Sequence, residues 1–256
     1  MTPIKDLDEL HSIILNIAST FHEICCKNDI PYYMIGGALL GSIRHHGFIP
    51  WDDDMDFGIP RKYYNQAIEI LRQQLPSNYK LFTYKDKKYI WGEIAKIEDT
   101  TTFIKEKGVK DGQGQGVFID IFPLDYTDNN YGKLSRNMMI QRLLFYHKLS
   151  RTDEKNISSR ICTMLSRLLG EDIFLKLIHG LIKDHGQYIT NYSGMYGEKE
   201  TVPHGFIGKP TLYTFERLKL YGVEKPDDYL SSIYGDYMTL PPIDKRHSHI
   251  EYMAYK

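Results

Sequence analysis

Four aspartates crowd the segment Pro50-Trp51-Asp52-Asp53-Asp54-Met55-Asp56, at a spacing suited to a divalent cation. On an extended backbone alternate side chains share a face, so Asp54 and Asp56 project to one side about 7 Å apart. Asp52 joins them if the strand starts early. Two carboxylates converging there repel each other unless a cation intervenes. Hard ions such as Mg²⁺ or Mn²⁺ take oxygen ligands, and Mg²⁺ is usually held by one or two carboxylates plus substrate phosphates. The pattern therefore fits a metal completed by a phosphorylated ligand. A solvated acidic loop is the ordinary alternative for an aspartate run, but Trp51, Phe57 and Ile59 bracket this one with apolar bulk. A calcium-binding EF-hand loop fails at two places: Phe57 stands where its turn needs Gly, and Tyr63 where it needs a bidentate Glu.

A second feature lies under twenty residues upstream. Gly36-Gly37 follows the apolar run Tyr32-Tyr33-Met34-Ile35 and precedes Ala38 to Arg44, which reads as a short helix. A glycine turn at the positive end of a helix lets backbone amides approach a phosphate closely. Beside an acidic strand it becomes a phosphate cradle next to a metal site. A third carboxylate is available from Asp120, in the middle of the apolar run Val117 to Phe122. Burying a carboxylate costs several kcal/mol unless a cation or donor meets it, so Asp120 is expected to have a partner. Ser42 and Arg44, one to two helical turns past the glycines, are candidates for the donor phosphates. Lys96 and the cluster Lys245-Arg246-His247-Ser248-His249 are candidates for phosphate or acceptor contacts. Gly112 to Gly116 resembles a nucleotide loop but precedes a strand, where a dinucleotide fingerprint must open a helix. His45-His46 and His247/His249 lack the Cys or carboxylate spacing of a zinc site.

The elements that must position these residues follow from periodicity. Leu7, Leu10, Ile13, Ile14, Ile17, Phe21, Ile24 and Cys25 mark an amphipathic helix from Asp6 to Lys27. Pro60 opens a helix from Arg61 to Leu75. Lys80–Tyr84, Tyr89–Ile97, Thr101–Lys105 and Val117–Phe122 have the length and the β-branched or aromatic content of strands. Residues 131–189 are helical in character, and roughly the last 65 read as an irregular lobe with a short helix near Asp227–Ile233. The expected fold is α/β (α+β): a mixed sheet with flanking helices in residues 1–130, and helical and irregular additions in 131–256, forming one domain.

Composition narrows the function. The 256 residues carry a formal charge of −1, which supplies no field for a polyanion, so nucleic acid is not an expected partner. Aromatics make up 13%, with 20 Tyr, a content suited to stacking on or hydrogen-bonding bases and sugars. The amino terminus does not read as a signal peptide and no run reaches the length of a transmembrane helix, so a cytoplasmic location is expected. Cys25, Cys26 and Cys162 fit neither a disulfide framework nor a zinc spacing, and neutral thiols are expected.

The block from Gly36 through Asp56, the segment Val117 to Asp125 and the stretch Tyr234-Gly235-Asp236-Tyr237-Met238-Thr239-Leu240-Pro241-Pro242 resemble the LicD family, of which the fukutin-related proteins are distant relatives. The resemblance implies a nucleotidyltransferase-type fold in which Gly36, Gly37, Asp54 and Asp56 hold Mg²⁺ and nucleotide phosphates, with Asp120 the matching third acid. It also implies transfer of phosphocholine, or a related alditol phosphate, from a CDP-linked donor to a hydroxyl of a cell-surface or lipid-linked glycan, with CMP leaving. Such an acceptor implies peripheral work at the inner face of the membrane. The zinc site of the fukutin-related members is not carried over, because the cysteine cluster is missing. Two other functions suit the same residues: an enzyme that makes the CDP-linked donor from CTP, and a silent nucleotide- or glycan-binding subunit.

Overall fold

In a computed structural model of the chain, the described residues are 2–86, 93–106, 115–127, 182–194, 196–246, 248 and 250–256, together with 173, 176, 179 and 180. Among them the chain forms eleven strands in one mixed sheet and five helices, α1 (Leu7–Lys27), α2 (Gly36–His45), α3 (Arg61–Gln74), α4 (His204–Ile207) and α5 (Pro226–Tyr234). Helix α1 (Leu7–Lys27) starts at Asp6, whose side chain accepts the Glu9 amide at 2.9 Å, while the Glu9 carboxylate accepts the Lys5 amide at 2.8 Å. The first bond satisfies an amide that the first helical turn leaves orphaned, and the second ties the chain just before the cap to the helix. The expected stripe is the buried face: Leu10, Ile13, Ile14, Ile17, Phe21 and Ile24 are all in the core. Phe21 fixes the helix on the sheet, with its ring 4.8 Å from that of Tyr32 and 4.7 Å from that of Phe57.

The sheet runs in the order β1 (Thr2–Pro3), β11 (Ile250–Tyr255), β5 (Ala95–Glu106), β6 (Gln115–Thr127), β3 (Asp56–Pro60), β2 (Tyr33–Met34), β10 (Leu218–Gly222), β9 (Thr211–Phe215). Strand β4 (Tyr79–Thr83) pairs with the first half of β5, and β7 (Tyr188–Thr190) joins the end of β6 to β8 (Val202–Pro203). The central pair β3/β6 is parallel, with Asp56 in register with Asp120. Strand β5 then crosses β6 antiparallel, with Lys96 in register with Asp120. The mixed sheet with flanking helices is the architecture expected from the sequence.

Several boundaries differ from expectation. The two strands read at 89–97 and 101–105 are one strand, β5, with a register shift between Asp99 and Ile104; residues 89–92 lie outside the described residues. At the shift the Asp99 side chain accepts the Thr101 amide at 2.9 Å, and the Thr102 hydroxyl donates to the Asp99 carbonyl at 2.8 Å. Local side-chain bonds thus replace the ladder bonds that the irregularity loses. The lobe read as irregular supplies β9, β10 and β11, so residues far apart in the chain complete both ends of the sheet. Its short helix is present as α5 (Pro226–Tyr234), after the one-turn α4 (His204–Ile207). Most of the helical stretch read at 131–189 lies outside the described residues, but Tyr188 and Ile189 are strand. Of the cysteines, Cys25 is buried and Cys26 exposed; burial pushes both thiols upward, which keeps them neutral as expected. Cys162 lies outside the described residues.

Candidate functional site

The glycine turn and the aspartate segment meet across one cleft. Helix α2 (Gly36–His45) includes both glycines in its first turn instead of starting after them. Gly36 has φ +53°, a conformation that favours glycine, and a Cβ there would lie 3.5 Å from Asp56 Oδ2. A Cβ on Gly37 would come within 2.7 Å of Asp52 Oδ2, so only glycine lets this backbone stand against the carboxylate. Tyr229, from α5, is buried in the core with its α5 neighbours Leu230 and Ile233.

The aspartate segment is pinned at intervals. The Asp52 amide donates to the Ile49 carbonyl at 2.9 Å, and the Asp52 carbonyl meets Nε2 of His11, whose ring stacks on Phe48 at 3.9 Å. Ile35 donates to the Asp56 carbonyl, and Asp120 to the Met55 carbonyl. Strand β3 starts only at Asp56, yet Asp52 still reaches the cleft, because the turn at Ile49–Asp52 brings it there. Carboxylate oxygens of Asp52, Asp53 and Asp54 come within 4.8 Å of one another. Asp53 is nevertheless turned away and buried, accepting the Ile250 amide at 2.9 Å and the Ser248 hydroxyl, and this ties the loop to β11. Asp52, Asp54 and Asp56 line the cleft, and Asp53 does not.

Burial and then the Asp56 charge push the Asp54 carboxyl well above the usual range. Burial and then the Asp120 charge do the same to Asp56. Asp120 is raised chiefly by burial, against the pull of Lys96. Asp56, Asp120 and Lys96 form one row across β3, β6 and β5, with Lys96 Nζ 2.8 Å from Asp120 Oδ1 and 2.9 Å from Oδ2. The ammonium also sits over the Phe118 ring, 3.4 Å from its centroid. A carboxylate cluster this poorly neutralised calls for positive charge, and its all-oxygen donor set matches a hard divalent ion. Asp52 and Asp54, whose oxygens converge and which both line the cleft, are therefore fit to hold one, with Asp56 beside them in the same lining.

The other expected residues are spread more widely. Arg44 lines the cleft, donating to the Tyr237 carbonyl at 2.6 Å and to His45 at 2.9 Å. Ser42 is buried and donates to the Thr214 carbonyl at 2.9 Å, outside the cleft lining. Arg246 sits over the ring of Trp51, itself a cleft residue, at 5.0 Å. Lys245 is exposed, and His247 and His249 lie outside the described residues, as do 112–114 of the glycine-rich run.

The cleft, of about 610 Å³, has a far wall that sequence reasoning did not assign: Asn191, Tyr196, Glu200, Tyr234, Asp236 and Tyr237. A signal existed for Tyr234 to Tyr237, within a segment that resembles the family, but none marked Asn191, Tyr196 or Glu200. Glu200, 7% exposed, accepts the Tyr196 amide at 2.8 Å; burial raises its carboxyl to about 7. A raised carboxyl contributes its full stability below the unfolded value of 4.5 and loses it as pH climbs towards 7. Glu200→Gln should flatten that dependence. With chelator present, the variant should gain ~3 kcal/mol over the parent between pH 4.5 and 8 in urea unfolding, and parallel curves for the two proteins would contradict this.

A glycine turn opening a helix, set against an acidic strand of a mixed sheet, defines a protein of the nucleotidyltransferase type. The chain belongs to the LicD family: residues 29–157 match the LicD/FKTN/FKRP nucleotidyltransferase domain. It is 30% identical over 264 residues to the lipopolysaccharide cholinephosphotransferase LicD of Haemophilus influenzae, covering 97% of each chain. An uncharacterized protein of Rickettsia typhi is 40% identical over 113 residues, 43% of this chain and 33% of that one. Among the described residues no helix is long and apolar enough to cross a membrane.

Proposed function

We propose that the protein transfers phosphocholine, or a related alditol phosphate, from a CDP-linked donor to a hydroxyl of a cell-surface or lipid-linked glycan. The observation that carries this reading is the Gly36-Gly37 turn set directly beside Asp52 and Asp56, with Asp54, in the lining of a nucleotide-sized cleft. The end-to-end likeness to a lipopolysaccharide cholinephosphotransferase supports it. In the reaction an acceptor oxygen forms a bond to the distal phosphorus, the bond to the CMP oxygen breaks, and the hydroxyl proton passes to a carboxylate. A Mg²⁺ or Mn²⁺ ion held by Asp54 and Asp56, with Asp52, would neutralise the phosphates and the charge building on the leaving oxygen.

Each residue then has a role that its place in the fold supports. The α2 amino terminus offers amides and a positive dipole end to the donor phosphates. Arg44, held by the Tyr237 carbonyl, adds fixed positive charge at the cleft wall. Asp120, beside Asp56, takes the acceptor proton, and Lys96 orients its carboxylate. The reading places the work in the cytoplasm at the inner membrane face, where a lipid-linked acceptor is presented. The test is an assay of products with CDP-choline, CDP-glycerol, CDP-ribitol and CTP. CMP release from a CDP-linked donor without pyrophosphate is expected. Pyrophosphate from CTP would replace the reading with donor synthesis, and binding of every nucleotide without turnover would replace it with a silent subunit.

A further inference from the structure

The far wall of the cleft sets an aromatic pair beside an acidic side chain. Tyr196 and Tyr234 meet edge-on, with ring centroids 5.2 Å apart and planes at 79°, and form a right-angled aromatic corner. Tyr196 keeps 50% of its surface exposed although it lines the cleft, so an aromatic ring stands open to a ligand. Tyr234 reaches back towards the phosphate end, its hydroxyl 3.8 Å from where a Cβ of Gly36 would stand. Glu200 closes the corner from the Tyr196 side, one carboxylate oxygen fixed by the Tyr196 amide. A Cβ on Gly194 would lie 2.0 Å from both Glu200 oxygens, so the chain leaves that space to the carboxylate. Of the other cleft aromatics, Phe122 is buried, Arg246 covers Trp51, and the Tyr237 hydroxyl donates to Asp227.

We infer that the Tyr196–Tyr234 corner, closed by Glu200, receives a quaternary ammonium group on the cargo and selects it over neutral alditols. The inference rests on the proposed donor-dependent transfer at this cleft. An exposed aromatic face attracts a trimethylated cation through its negative quadrupole, and Tyr196 is the exposed ring of the pair. Such a cation is weakly hydrated and asks for no hydrogen bonds, so it gives up little on entering the corner. Glu200 nearby, in its ionised form, adds attraction that a glycerol or ribitol chain cannot use. The corner lies beside the glycine turn rather than apart from it, as a cargo joined to the donor phosphate requires.

The test measures the affinities of CDP-choline and CDP-glycerol by calorimetry for the wild type, Tyr196→Leu and Tyr196→Phe. Leucine keeps apolar bulk and removes the π face; phenylalanine keeps the face and removes the hydroxyl. The wild-type preference for CDP-choline over CDP-glycerol should fall roughly 3- to 30-fold in Tyr196→Leu and survive in Tyr196→Phe. Equal weakening of both ligands by leucine would assign Tyr196 to the nucleotide moiety and overturn the inference while leaving the transfer reaction intact. An unchanged preference would overturn it as well. A wild type that releases CMP from no CDP-linked donor would sink the proposed function itself, and the choline corner with it.

Discussion

Asp54→Asn and Asp56→Asn each reduce turnover on the order of 10³-fold, equivalent to about 4 kcal/mol of lost transition-state stabilisation, while the protein stays folded. The two carboxylates are half-buried in the cleft wall, and each is pushed upward by desolvation and by neighbouring acids. Deleting one charge from an already repulsive cluster removes a cost that the folded state carries, so each variant should unfold at the same temperature as the parent or higher when chelator is present. Adding Mg²⁺ should reverse the order. An ion that binds the folded state raises its stability by mass action, and the parent should gain more than either variant. Activity and melting thus move in opposite directions if the carboxylates serve a cation. Near-normal turnover of either variant with Mg²⁺ present would refute the metal assignment. A large loss of stability in chelator would instead show a structural role for the carboxylate.

Asp120→Asn lowers transfer to the glycan hydroxyl by roughly 10²–10⁴-fold, the range for loss of a positioned general base, with a much smaller change in donor affinity. Asp120 is not among the residues lining the cleft; it stands next to Asp56 on the adjacent parallel strand, clasped by Lys96. The variant should fold, because the Asp120 charge is the largest charge pressing on Asp56 and its removal offsets the loss of the Lys96 pair. Calorimetry with the CDP-linked donor and a separate assay of CMP release resolve the two roles. Equal losses in affinity and in release would place Asp120 with the donor-binding carboxylates. Unchanged turnover would return it to a purely structural pairing with Lys96.

Short-range patterns carried much of this protein. The stripe from Leu10 to Ile24 placed α1, because three- and four-residue spacing is a property of the helix itself. The Gly36-Gly37 pair and the Asp54/Asp56 alternation announced a cradle and an acidic strand, since backbone sterics and pleat period act over a few residues. Long-range packing decided the rest. Asp52 and Asp53 are neighbours of the same type, yet one faces the cleft while the other is drawn into the interior by the Ile250 amide and Ser248, almost 200 residues away. The row Asp56–Asp120–Lys96 exists only because β3 and β5 both pair with β6, and strand register does not show in any one strand. Residues 211–222 and 250–255 looked irregular because short strands with mixed faces carry little periodicity; the open edges of the sheet make strands of them. Tyr196 and Glu200 carried no local mark at all. Their place opposite the aspartates comes from packing that brings residues near 200 against α2 and α5, and a single sequence does not encode that approach as a motif.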